Sequence, residues 1–226
     1  SSIVSLQSIN CQVNGKDLNG SLTYSNFNNP YIQTQFNTEL NLAEVQQLDY
    51  ELPLKELSGS AKITANYKGR LGFKNGIVKD FEQAEKSATI QLINTSFQYK
   101  PLALFHSLEG SIKLLNNRLE IDSLKGSTGK ESKLKFVGAI EHLFSQKKEL
   151  KVTGHLSSDW LKISEMIIPE TNQESTPFIM PKNILANITT SIKDASYKKF
   201  HMSNFQAKTS FSKGVLTAKE VQLNSM

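Results

Sequence analysis

Residues 32–42 read IQTQFNTELNL, and their alternation decides the fold class. Ile32, Thr34, Phe36, Thr38, Leu40 and Leu42 occupy one phase, with Gln33, Gln35, Asn37, Glu39 and Asn41 between them. Successive side chains of a strand point to opposite faces, so this segment has an apolar side and a wet side. The pattern recurs in Leu134, Phe136, Gly138, Ile140, in Ile184, Ala186, Ile188, Thr190, Ile192, and in Phe205, Ala207, Thr209, Phe211. Between Ile90, Leu92 and Ile93, Thr95, Phe97, Tyr99 the phase slips by one residue, as a sheet-bending β-bulge would cause. Asn75–Gly76, Asn116–Asn117 and Lys213–Gly214 punctuate the runs and suit the positive φ angles of tight hairpins. Short helices are expected over 42–48, 160–168 and, more weakly patterned, 81–86. The span 169–181 reads as a loop. The periodicity predicts an all-β chain of antiparallel hairpins.

Composition narrows the function classes. The chain has 226 residues with 26 Lys and Arg against 21 Asp and Glu, a net charge of +5. Basic residues are scattered, with short pairs at Lys147–Lys148 and Lys198–Lys199, and aromatics are only 8%. Nucleic-acid readers concentrate charge on one face and keep aromatics free for stacking, so no nucleic-acid partner is expected. A hydrophobic fraction of 38% and a mean hydropathy of −0.35 suit a globular chain without a membrane-spanning run. Cys11 is the single cysteine, which excludes an internal disulfide and a thiolate-rich metal site. Beginning at Ser1 without a signal-peptide pattern, the chain reads as a segment of a larger protein.

Self-similarity runs through the chain. Gly20, Gly59 and Gly110 each read as a turn glycine opening an alternating strand. Residues 37–45 (NTELNLAEV) align with 158–166 (SDWLKISEM), placing Leu40 on Leu161, Leu42 on Ile163 and Glu44 on Glu165. Farther on, Leu52–Pro53 matches Met180–Pro181 and Ser96–Phe97 matches Ser196–Tyr197. Ile112, Leu114, Leu119 and Ile121 match Thr209, Phe211, Leu216 and Ala218 across a hairpin. Chance agreement between short strands competes with an internal repeat. As a repeat, the units would be 20–150 and 151–226 of one elongated β-rich segment spanning 1–226.

These stretches resemble the AsmA-like proteins of Gram-negative envelopes, which are related to TamB. The resemblance rests on the Leu-x-Leu entries into short helices at NTELNLAEV and SDWLKISEM. It also rests on GSIKLLNNRLEIDSLKGSTG (110–129), on SKLKFVGAIEHL (132–143) with Ser132 and Gly138, and on MPKNILANITTSIKDASYKKF (180–200). It extends roughly from Gly20 to Leu223. It implies a curved, mostly antiparallel sheet shaped as a half-pipe or groove, with two or three short helices and an apolar inner face. It further implies a periplasmic protein held to the inner membrane by an N-terminal helix outside this chain. The implied role is phospholipid transport between membranes and outer-membrane homeostasis, with phospholipid and envelope proteins as partners.

The candidate lipid-binding lining is the inward apolar set. It comprises Ile32, Phe36, Leu40, Ile90, Leu92, Phe97, Tyr99, Ile112, Leu114, Leu119, Ile121, Leu134, Phe136, Ile188, Ile192, Phe205 and Phe211. One-sided alternation equally describes a closed core, and such a module would bind protein partners through its sheet edges. No enzyme, cofactor or metal site is expected. Residues 126–130 (GSTGK) suggest a phosphate loop, but Leu124 stands where that motif needs glycine and Glu131 where it needs Ser or Thr. His106, His142, His155 and His201 lack zinc spacing, and Cys11 is expected to be an inert thiol, buried or partly exposed. Glu39, Glu44, Asp49 and Glu51 gather near one helix end, where solvation accounts for them. Trp160, the single tryptophan, is placed on a helix, which argues against a carbohydrate reader.

Overall fold

A computed structural model of the chain describes residues 3–13, 15–47, 55–70, 78–98, 102–145, 148–166 and 183–225. The chain forms β1 (Ile3–Val13), β2 (Lys16–Ser25), β3 (Tyr31–Asn41), α1 (Leu42–Gln47), β4 (Lys55–Arg70), α2 (Val78–Gln83) and β5 (Glu85–Gln98). Then follow β6 (Phe105–Leu115), β7 (Arg118–Thr128), β8 (Ser132–Glu141) and β9 (Leu150–Lys162), a 3-10 turn at Ile163–Glu165, β10 (Ile184–Tyr197), β11 (Phe200–Ser212) and β12 (Val215–Ser225). All belong to one 12-stranded sheet in sequential order, with β1 and β12 as free edges. Neighbours run antiparallel except β9 and β10, which are parallel. The sheet is all-β and curved, and it is not closed into a barrel; the alternation led one to expect the strands, and the curved groove was what the resemblance implied.

Bulges supply the curvature. β5, β6 and β7 each hold one residue more than both neighbours at the steps Leu92/Thr95, His106/Glu109 and Ile121/Leu124. Asn94 (φ 45) and Ser107 (φ 52) take the left-handed conformation at two of these steps, and such insertions bend the strand locally. The phase slip expected in β5 is therefore real, but it falls at Asn94. Ile93 pairs with Ser60 and belongs to the polar phase. The turns at Asn116–Asn117 and Lys213–Gly214 form as expected, with φ of 52 at Asn116 and 52 and 81 at Lys213 and Gly214.

Several local expectations are corrected. Gly20, Gly59 and Gly110 open no turns, since they lie inside β2, β4 and β6. A Cβ at Gly110 would overlap the Ser123 carbonyl oxygen of β7, so this glycine permits close backbone approach beside a bulge. Trp160 belongs to β9, whose ladder with β10 continues to the pair Lys162 and Ser196, so among the described residues of this stretch helix is limited to Ile163–Glu165. The helix expected at 81–86 sits earlier, at Val78–Gln83, and Lys86 has entered β5. Cys11 is exposed, because β1 is an edge strand with a neighbour on one side only. The helix over 42–48 forms as Leu42–Gln47. Tyr99, Asn75–Gly76, the loop 169–181, Asp49, Glu51 and the matched pairs Leu52–Pro53 and Met180–Pro181 lie outside the described residues.

Repeat-like structure is present at two levels. β3 running into α1 has its counterpart in β9 running into the 3-10 turn, with Glu44 and Glu165 in the aligned positions. In the hairpins β6–β7 and β11–β12, Ile112 pairs with Ile121 and Leu114 with Leu119, as Thr209 pairs with Ala218 and Phe211 with Leu216. Little of the molecule is fully buried. One cluster, Leu161, Ile192 and Ala195, gathers Leu134, Ile163, Met166, Met202 and Phe205 around it.

Gly110→Ala is expected to lower unfolding stability by about 1–3 kcal/mol, because the β6 and β7 backbones must separate to admit the methyl group. Urea denaturation measures this, and an unchanged midpoint would show that the close approach carries no constraint.

Candidate functional site

Register converts the alternation into a surface. In one cross-strand row, Ile9, Gly20, Phe36, Ala65, Ala88 and Leu114 are paired neighbour to neighbour across β1 to β6. The row continues through Leu119, Ile140, Val152, Ala186, Phe211 and Leu216 on β7 to β12. Every position in it is apolar. A second row crosses all twelve strands beside it through Ile63, Ile90, Ile112 and Ile121, then Gly138, Gly154 and Ile188. A third links Leu40, Ala61, Leu92, Gly110, Leu124, Phe136 and Leu156. At a strand spacing of about 4.8 Å, twelve strands make an apolar floor of roughly 50 Å.

The expected lining residues, Tyr99 apart, lie on this face. Phe36, Leu114, Leu119 and Phe211 belong to the first row, Ile90, Ile112, Ile121 and Ile188 to the second, and Leu40, Leu92 and Phe136 to the third. Ile32 stands opposite Tyr24, Phe97 stacks on Phe105 with centroids 5.6 Å apart, Leu134 faces Gly126, and Ile192 faces Phe205. The reading from sequence omitted Ile9, Ile63, Leu108, Leu124, Ile140, Val152 and Leu156. Their signal was present as alternation, and only for Leu124 did a bulge, around Asp122, reverse the phase set by Leu119 and Ile121.

Among the described residues no second layer covers this floor. Most of its side chains are only half-buried, as they are when covered by sheet neighbours and not by a second layer. At the edges Leu6 is 50% and Leu216 62% exposed, so the apolar strip reaches both free strands. A closed sandwich core would hide these groups. The Phe136 ring occupies the space that the facing glycines Gly138 and Gly154 leave open.

The strand ends form two rims. On one rim Phe81 of α2 stacks on Tyr67 (5.6 Å, 14°) and meets Phe144 edge-on (4.8 Å, 90°). Lys86, 4% exposed, stands in the Tyr67 position of the adjacent strand. Its Nζ donates to the carbonyls of Phe81 (2.5 Å), Glu82 (3.4 Å) and Ala84 (3.1 Å), satisfying groups a helix C-terminus leaves open. The ammonium also lies 5.0 and 5.2 Å from the Phe81 and Phe144 ring centroids. Burial pushes its pKa down, against the raising influence of Glu82. A lysine in an apolar strand phase gave no sign in sequence of this docking role.

On the opposite rim Asn41 Oδ1 accepts from the Ala43 N–H (3.1 Å) and caps α1, while Asn41 Nδ2 donates to Glu44 (3.0 Å). Glu165, with its side chain 15% exposed, accepts from the backbone N–H groups of Lys130 (3.2 Å) and Glu131 (3.3 Å) and from Ser132 Oγ (3.3 Å). It also pairs with the Lys162 ammonium at 3.3 Å. Nearby, the Ala103 N–H donates to the Met166 carbonyl at 2.9 Å, joining the segment before β6 to the turn after β9. Desolvation works against the Glu165 charge, but the Glu131 and Lys130 N–H groups and Lys162 outweigh it and hold its carboxyl below the usual range.

No group of three or more His, Cys, Asp or Glu side chains arranged to hold a metal occurs among the described residues. His106 meets the Gly129 carbonyl (2.8 Å), His142 that of Glu149 (3.0 Å) and His155 the Thr189 hydroxyl (2.9 Å). Among the described residues no helix is long and apolar enough to cross a membrane. No family model, curated protein or solved structure matches the chain.

A depressed folded pKa means that Glu165 contributes stability above its unfolded value and loses it as pH falls through the folded one. Glu165→Gln is therefore expected to melt lower than wild type at neutral pH. Its melting temperature should also fall less between about pH 5 and pH 3, around the ordinary carboxylate value. Parallel pH profiles of the two proteins would remove Glu165 from the acid sensitivity of the rim.

Proposed function

We propose that this chain is the lipid-handling segment of an AsmA-like envelope protein, holding acyl chains on its apolar floor during phospholipid transport between membranes. The observation that carries this reading is the unbroken apolar row from Ile9 to Leu216, which no second layer covers among the described residues. An acyl methylene gains about 0.8 kcal/mol when fully withdrawn from water, and less when one side stays wet. A floor that recognises only apolar area accepts chains of varied length and lets them shift along it, because adjacent positions are chemically alike. Head groups would remain above the rims in water. In this reading the segment works in the periplasm, attached to the inner membrane through a part of the protein outside this chain, and contributes to outer-membrane homeostasis. No catalytic step is involved.

A second reading, a module that recruits protein partners by strand addition, is favoured by the free edges. β1 carries no charged residue in its eleven positions and leaves one side of its ladder unpaired.

Native mass spectrometry with lipid extraction, on protein purified from a bacterial host, separates the two. Co-purified phospholipid is expected, falling about tenfold or more in Phe36→Asp and Phe136→Asp variants whose circular dichroism is unchanged, since a carboxylate cannot share a dry apolar contact. A folded, lipid-free wild-type protein would overturn the lipid reading and direct attention to the edges.

A further inference from the structure

The polar face carries a second feature. A depression of about 670 Å³ opens on the side of β7 to β11 away from the apolar floor, and four lysines, Lys125, Lys133, Lys135 and Lys193, line it with one carboxylate, Asp159. The volume lies within the range of small-molecule sites. Bulged residues stand on either side of it, Ser107 and Asn204, each with φ 52, and their strands bend there.

Several charges elsewhere on this face are paired. Lys16 pairs with Glu39, Lys68 with Glu85, Lys113 with Asp122, and Lys151 and Arg118 with Glu141. Where β11 sets Lys208 opposite Lys219, Lys208 pairs with Glu220 at 2.5 Å. By contrast Lys125 stands directly opposite Lys135, an arrangement that costs stability, and none of the four lysines is in an ion pair among the described residues. Glu109 lies in register with Lys125, and Asp159 lines the depression with the lysines, yet neither closes a bridge.

The geometry also sorts the cations. Lys125 and Lys135 share one cross-strand row with Ser157, Ser191 and Gln206. Lys133 and Lys193 belong to the next row, two residues along each strand and therefore about 7 Å away, where they flank Asp159 of β9. The Lys125–Lys135 pair, with the hydroxyl and amide groups that extend its row, matches an anionic group on a polar frame.

We infer that this depression is a binding site for a small, hydroxylated molecule bearing phosphate, which Lys125 and Lys135 hold while Lys133 and Lys193 offset the charge of Asp159 beside it. The site is independent of the lipid reading, since it lies on the opposite face. The phosphates can belong to a soluble sugar phosphate or to a lipid head group, and the two sources are separable by experiment.

Isothermal titration with fructose 1,6-bisphosphate at about 50 mM salt, where screening is modest, tests the soluble source, with fructose as the uncharged comparison. Flotation with phosphatidylcholine vesicles containing cardiolipin tests the head-group source. Binding is expected in at least one arm and not to fructose. It should weaken about tenfold or more in Lys125→Gln/Lys135→Gln, with a melting temperature no lower than wild type and with Lys208→Gln behaving as wild type. Lys133→Gln/Lys193→Gln provides the same readout should the first double variant fold poorly. Soluble binding assigns a free phosphorylated ligand, and binding to vesicles alone assigns a head group. Absence of binding in both arms, or binding indifferent to both double variants, would overturn the inference.

Discussion

The in-register backbone ladder is the constraint on which the rest of this molecule depends. A sheet side chain changes face with every one-residue slip, so a single error between any two strands would put leucines into water and lysines onto the floor. Twelve strands in sequential order multiply that requirement. The bulges show how it is met. Where β5, β6 and β7 insert a residue, the phase of the strand reverses, and the apolar side chain returns to the same face beyond the insertion, as Leu92 is followed by Thr95 and Ile121 by Leu124. Curvature and facial identity are thus produced by the same residues.

A sheet built this way draws most of its tertiary structure from neighbouring strands, with few contacts that bridge distant parts. Stability is then distributed like that of repeat proteins, each hairpin supported by the next. The compact cluster around Leu161, Ile192 and Ala195 is an exception and lies beside the parallel step between β9 and β10. The rims add longer links. Phe81 against Phe144 joins the chain after β4 to the chain after β8, and Ala103 bound to Met166 spans the opposite side. Their polar anchors, Lys86 and Glu165, are the charged groups that burial affects most clearly, and each is satisfied by several hydrogen bonds.

The two faces suit different chemistry. The floor presents apolar area without direction, as the proposed acyl-chain binding requires. The polar face presents charge, part of it paired, and gathers four lysines around one depression. The proposed acyl-chain handling and the inferred anion recognition would therefore not compete for the same side chains.

The amino-acid pattern alone determined that the chain is all-β, that one face is apolar, and which residues make much of it. Alternation such as Ile32 to Leu42 reports the local geometry of a strand, and local geometry is what a linear pattern encodes. The hairpin turns at Asn116 and Gly214 were legible for the same reason. The tertiary structure decided the rest. Trp160 became strand because its partner in β10 supplied a ladder, and Lys86 became a buried anchor because α2 and Phe144 came to it. The alignment of Phe36 with Leu114 and Phe211, and of Lys125 with Lys135, depends on register between strands. Register is a relation between segments distant in the chain, and no single segment carries it.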